Sequence, residues 1–211
     1  YAGNYKPNEI DNQIIQLSFN DKFKDAMDLC QRQINLNPDS PKYYYYKINT
    51  MVLEYFERIT AIDIDKRNQE RERINEDMIN YFEEVVEKFE DYDFSLEEKF
   101  YYGTILGYLA RMQGLNGSWW GAFSTGMDSQ EIMEEIIEAD PEFYDAYLLL
   151  GMFEYYADRL SGVVGVIASV LGFSGDRETG IEYLNLALEK GTLTFGQTNL
   201  TMIEIFAQLE D

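Results

Sequence analysis

Apolar residues along this chain recur three and four positions apart, in stretches that stop at Asn-Pro or Asp-Pro pairs or at glycine and then begin again. This feature constrains the fold more than any other. Ala26, Leu29, Cys30 and Ile34 form one such stripe, and Met78, Ile79, Phe82, Val85, Val86 and Phe89 form another. On a helix these spacings line one face, whereas a strand needs strict alternation. No segment alternates convincingly, so the chain is expected to be all-α.

The stops place the helices. Asn8 is suited to cap a helix over Glu9–Ser18, and a polar turn separates it from a second over Phe23–Asn35. Asn37-Pro38-Asp39-Ser40-Pro41 ends that helix and starts a third over Pro41–Ile62, with Ser40 as N-cap and Pro41 in the first turn. The charged stretch Asp63–Arg73 reads either as a turn or as a solvated extension of a fourth helix over Ile74–Phe89. Ser95 and Glu98 form a capping box for a fifth helix reaching Gln113. Ser118 opens a long sixth, in which Gly126 and Asp128 mark a kink or restart. Asp140-Pro141 precedes a seventh over Phe143–Tyr156. Asp176–Lys190 and Thr198–Leu209 complete the set.

Composition narrows the chemistry. Among 211 residues there are 17 Tyr and 13 Phe, so the core is expected to be built from flat rings. Acids outnumber bases 39 to 17, a net charge of −22. Nucleic-acid backbones and anionic lipid surfaces are repelled by such a chain, which has no basic block to offset it. A basic partner is allowed. Histidine is absent and Cys30 is the single cysteine. The usual general base, a Cys/His nucleophile pair and a cysteine zinc site are therefore unavailable, and the expected protein is not an enzyme and carries no cofactor or metal. The acidic cluster Asp63, Asp65, Glu70, Glu72, Glu76 and Asp77 lacks the alternation and central glycine of a calcium loop. Glu134, Glu135 and Glu138 read as a solvated face.

Helices of this length joined by short turns call for a test of repetition. Tyr147, Leu150 and Gly151 in DPEFYDAYLLLG, then Gly180, Leu184 and Ala187, resemble the first- and second-helix positions of the tetratricopeptide repeat (TPR) superfamily. Ala26 and Pro38 fit its second-helix pattern as well, with Cys30 and Gln33 on the positions between. The middle units are longer than the family's repeat of about 34 residues and lack its Leu-Gly pair. A second likeness, to the eukaryotic inclusion-body-clearance branch of TPR-like proteins, rests on GFSGDRETGIEYL around Gly172–Leu184. Exported bacterial proteins of unassigned role are similar across Trp119–Gly191. The resemblance implies a single domain over 1–211 (1–7 a loose tail) built as a right-handed superhelix of antiparallel helix pairs. It implies binding of a protein or peptide on the concave face, where first-helix residues Tyr44, Lys47, Tyr101, Tyr108, Tyr147 and Glu154 are the candidate contacts.

The strongest departure from a plain repeat is an apolar insert at 160–175, between the Gly151 helix and the Gly180 helix. Ser161, Gly165 and Ser169 recur every fourth residue, and Val163, Val166, Ile167, Val170 and Leu171 cover the rest. Three readings stay open: a buried cap, the wall of a hydrophobic pocket, and peripheral membrane contact. The run is too short to span a bilayer, which takes about 18 or more apolar residues. As a pocket wall, Val166, Ile167 and Val170 join Trp119 and Trp120 in an exported carrier of a hydrophobic small molecule, the alternative to the peptide-binding scaffold. Trp119 and Trp120 themselves read more simply as core. Export is the expected location, from the start at Tyr1 and the family likeness, with the cytoplasm as the alternative; oligomeric state is not legible.

Overall fold

The computed structural model describes residues 6–62, 64–157 and 175–209. Among them it contains nine α-helices, one 3-10 turn and no strand. The helices are α1 (Glu9–Phe19), α2 (Phe23–Leu36), α3 (Lys42–Ala61), α4 (Ile64–Phe89), α5 (Leu96–Leu115), α6 (Trp119–Ala139), α7 (Tyr147–Ala157), α8 (Arg177–Lys190) and α9 (Phe195–Leu209). Two compact units result: an N-terminal one over Pro7–Asp128, and a C-terminal one holding the described residues from Ser129 onward. The boundary falls inside α6.

The caps explain most of the helix ends. Asn8 accepts the Asp11 amide while Asp11 accepts the Asn8 amide, each at 2.9 Å. Ser95 and Glu98 form the same reciprocal box at α5, and Asp176 takes the Thr179 amide at 2.9 Å to start α8. Three boundaries differ from the sequence reading. Pro41 itself is the N-cap of α3, so Ser40 lies one step outside the helix. Over residues 64–73 the charged stretch is helix, since α4 begins at Ile64, while Asp63 lies outside the described residues. Asp140-Pro141 leads first into a 3-10 turn over Tyr144–Ala146, and α7 starts only at Tyr147. Gly126 and Asp128 neither break nor restart α6.

In the N-terminal unit each helix packs on its chain neighbour from α1 to α5. The odd-numbered helices also meet one another, α1 on α3 and α3 on α5. Helices α2 and α4 both pack on α3, and they share no contact of comparable extent with each other among the described residues. The core between them is aromatic, as the composition predicts: Tyr45, Tyr46, Phe82, Phe89, Phe100 and Tyr101 are almost wholly buried. Tyr45 lies 5.0 Å from Tyr46 and 5.1 Å from Tyr101, ring to ring, in tilted geometry. Ser18 and Thr50 share a buried hydrogen bond of 2.8 Å that ties α1 to α3. The Lys42 ammonium reaches the buried Asp11 carboxylate at 2.7 Å. A turn with Gly117 at φ 80°, a left-handed conformation that suits glycine, leads from α5 to α6.

In the C-terminal unit α7 lies against α8 over its length, and α8 against α9. Leu148 and Tyr155 of α7, Leu184 and Ala187 of α8, and Met202 and Ile205 of α9 form one buried cluster. Asp145 holds the turn between α8 and α9. Its Oδ1 accepts the amides of Thr192, Leu193 and Thr194, each at 2.9 Å, and the Thr194 hydroxyl at 2.8 Å. A carboxylate taking three backbone amides satisfies donors that would otherwise be orphaned at the start of α9.

Candidate functional site

With α2 and α4 both packed on α3, a groove runs along the α3 face between them. Tyr44, Lys47, Met51, Tyr55 and Arg58 follow one another at three- and four-residue steps and so share that face. One end of the groove is closed. The Tyr44 ring stands edge-on to Phe89 of α4 at 5.2 Å, and its hydroxyl donates to the Pro38 carbonyl at 3.3 Å. One turn on, Lys47 bridges the walls: its Nζ donates to Gln31 Oε1 of α2 at 2.9 Å and lies 4.6 Å from the centre of the Tyr81 ring of α4.

Past Lys47 the groove opens into a cleft of about 220 Å³. Met27 supplies the α2 wall; Met51, Glu54, Tyr55 and Arg58 the floor; and Arg73, Ile74, Asp77 and Met78 the α4 wall. Three methionines give it an adaptable apolar lining. Both arginines are engaged by one carboxylate, Glu70, at 3.4 Å from Arg58 and 2.8 Å from Arg73. Glu54 and Asp77 also line the cleft, so carboxylates stand beside the arginines at its mouth.

Burial sets the electrostatics of the closed end. It pushes the Lys47 ammonium below its usual pKa and the Tyr81 phenol above the ordinary phenol range. The Cys30 thiol, fully buried beside Lys47, is pushed up to about 12. A thiol held protonated in this way is a small apolar filler rather than a nucleophile.

The expected partner contacts separate into groups. Tyr44 and Lys47 lie at the closed end of the groove, both half-buried. Tyr101 and Tyr108 are 0 % and 8 % exposed and belong to the core; the Tyr108 hydroxyl donates to Asn49 Oδ1 at 2.8 Å in the interior. They sit on the α5 faces turned inward, and no open face carries them. Tyr147 and Glu154 are in the C-terminal unit and are engaged there. The Tyr147 hydroxyl donates to the Pro141 carbonyl at 3.3 Å and its ring meets Tyr183 edge-on at 5.3 Å. Glu154 accepts the Asp176 amide at 2.8 Å, at the start of α8. The reading of Trp119 and Trp120 as core residues is corrected, because they stand on the surface at 57 % and 60 % exposure. They open α6, where the first turn has no preceding helical turn to cover it. The remaining pocket candidates Val166, Ile167 and Val170, and with them the insert readings, lie outside the described residues.

Spacing on α4 put Met78 on that helix's apolar stripe, whereas Met27 fell outside the stripe of α2. Their role as groove walls depends on how α2 and α4 sit on α3, for which no local signal exists.

The described residues form an all-α protein in which α3 floors a methionine-lined groove. No family model, curated protein or solved structure matches the chain. No described helix is long and apolar enough to cross a membrane.

Proposed function

We propose that this chain is a TPR-like helical-repeat module that works by binding a segment of another protein, without chemistry of its own. The observation that carries the reading is the open cleft over α3 between two helices that flank it. Support for the repeat comes from the alternation of contacts, in which each helix packs on its neighbour and odd helices on one another. Further support comes from Gly151 and Gly180, the close-approach pair expected of a repeat's two helices. The segment that fits carries an apolar side chain for the Met27, Met51 and Met78 lining and a Lys or Arg beside it for Glu54 and Asp77. In a protein of net charge −22, encounter with such a basic segment is electrostatically favoured.

Selection from a displayed random-peptide library tests this directly. The expected winners pair Leu, Met or an aromatic residue with Lys or Arg, bind more weakly as salt rises, and lose affinity for Glu54→Lys, a rim change outside the core. Library members that show no enrichment, or winners that bind Glu54→Lys equally well, would overturn it.

A further inference from the structure

The last helix presents a second surface of different character. Its inward face is buried: Thr198, Thr201, Met202 and Ile205 are all under one-tenth exposed. Its outward face is apolar and open, with Phe195 at 54 %, Leu200 at 46 %, Ile203 at 64 % and Phe206 at 54 % exposure. At about 100° per residue, Phe195, Ile203 and Phe206 fall within an arc of about 80°, with Leu200 at its flank. Single exposed apolar residues are ordinary, but four on one face of one helix mark a contact surface.

We propose that this face of α9 takes the same face of a second copy of the chain. Charge selects the occupant. Of the fifteen residues of α9 only Glu204 is charged, on a chain with 39 acids and 17 bases. Two copies of net charge −22 repel over most of their surfaces, and a nearly neutral helix is where they approach at least cost. A basic segment finds one carboxylate here, against several at the α3 groove. An anionic lipid surface finds no Lys or Arg on α9 to offset the net charge. Under a two-fold axis the stripe meets itself, so every apolar group has an apolar counterpart. The four side chains offer roughly 400 Å² per copy, on the scale of a functional surface patch. A standard interface buries about 800 Å² per partner. The association is therefore reversible and concentration-dependent.

Sedimentation equilibrium of the whole chain, from low to high micromolar concentration, reads this out beside the thermal transitions of the wild type and of Ile203→Glu and Phe206→Glu. The weight-average mass is expected to rise from 24.7 kDa towards twice that value with concentration, and to rise further with added salt as self-repulsion is screened. Each substitution is expected to weaken association by at least about tenfold while the thermal transition stays in place. A mass fixed at one copy across the range overturns the proposal. So does association unchanged by both substitutions. Loss of the cooperative transition in both variants, with a monomeric wild type, overturns it by showing that the face is covered within one molecule. Failure of the groove reading leaves each of these outcomes unaffected.

Discussion

Gly151 of α7 and Gly180 of α8 meet backbone to backbone: a Cβ on Gly151 would lie 2.8 Å from the Gly180 carbonyl oxygen, and one on Gly180 would lie 2.9 Å from the Gly151 oxygen. Neither φ is left-handed, so closeness rather than turn geometry demands glycine at both positions. The approach lets Leu184 reach Gly151 and brings Tyr155 over the shared cluster. Replacing a mid-helix glycine by alanine ordinarily stabilises a helix by about 1 kcal/mol. Here the sign reverses. Gly151→Ala and Gly180→Ala are each expected to lose about 2 kcal/mol in urea unfolding, because backbone atoms must shift. A gain in either would mean the two helices are not in contact at that point.

Asp145 is the second determinant of the C-terminal unit. Asp145→Ala leaves three amides and two hydroxyls without this acceptor and is expected to cost about 3 kcal/mol. Asp145→Asn retains one acceptor oxygen and should recover part of the loss. Backbone amide exchange at Thr192, Leu193 and Thr194 checks the cause, since all three should exchange faster in Asp145→Ala.

Lys47 sits in a half-buried place where burial opposes its charge and lowers its pKa. Its net effect at neutral pH is a desolvation cost offset by Gln31 and the Tyr81 ring. Lys47→Met, close in length and able to pack on the same ring, is expected to leave the midpoint of thermal unfolding unchanged or raise it. A drop of more than about 1 kcal/mol would show that the bridge between α2 and α4 outweighs that cost.

Stability is expected to fall in alkali. The folded-state pKa of Cys30 is raised from 9.0 to about 12, so its contribution is complete below pH 9 and is lost as pH rises towards 12. The slope for one thiol is at most about 1.4 kcal/mol per pH unit. Tyr108 and Tyr81 are raised too, and add to the decline above pH 10. Lys47 acts the other way, since its folded-state pKa is lowered and stability is regained as pH climbs through it towards 10.5. Urea unfolding between pH 7 and 10, with Cys30→Ala beside the wild type, isolates the thiol: the variant should show the shallower decline above pH 9.

Periodicity and caps made the helices legible. Asn8, Ser95 and Asp176 carry short-range signals and cap as their neighbours require. Gly151 and Gly180 were legible as a pair because a helix contact demands small residues on both sides. The first turns of α4 lacked an apolar stripe, and the charged run Asp63–Arg73 fits turn and helix equally well. Trp119 and Trp120 misled because bulk and spacing point inward, while their place at the start of α6 leaves them uncovered. Asp145 gave no sign at all, since its partners lie 47 to 49 residues away. The groove was hidden for a related reason: Met27, Met51 and Met78 become its lining only once α2 and α4 are placed on α3.

The most direct test of groove binding follows the methyl signals of the eight methionines by NMR while a library-selected peptide is added to the chain. The groove account predicts that Met27, Met51 and Met78 shift together and saturate together, with Met152 and Met202 of the C-terminal unit unmoved. Binding that leaves those three signals in place, or that moves Met152 and Met202 instead, contradicts it.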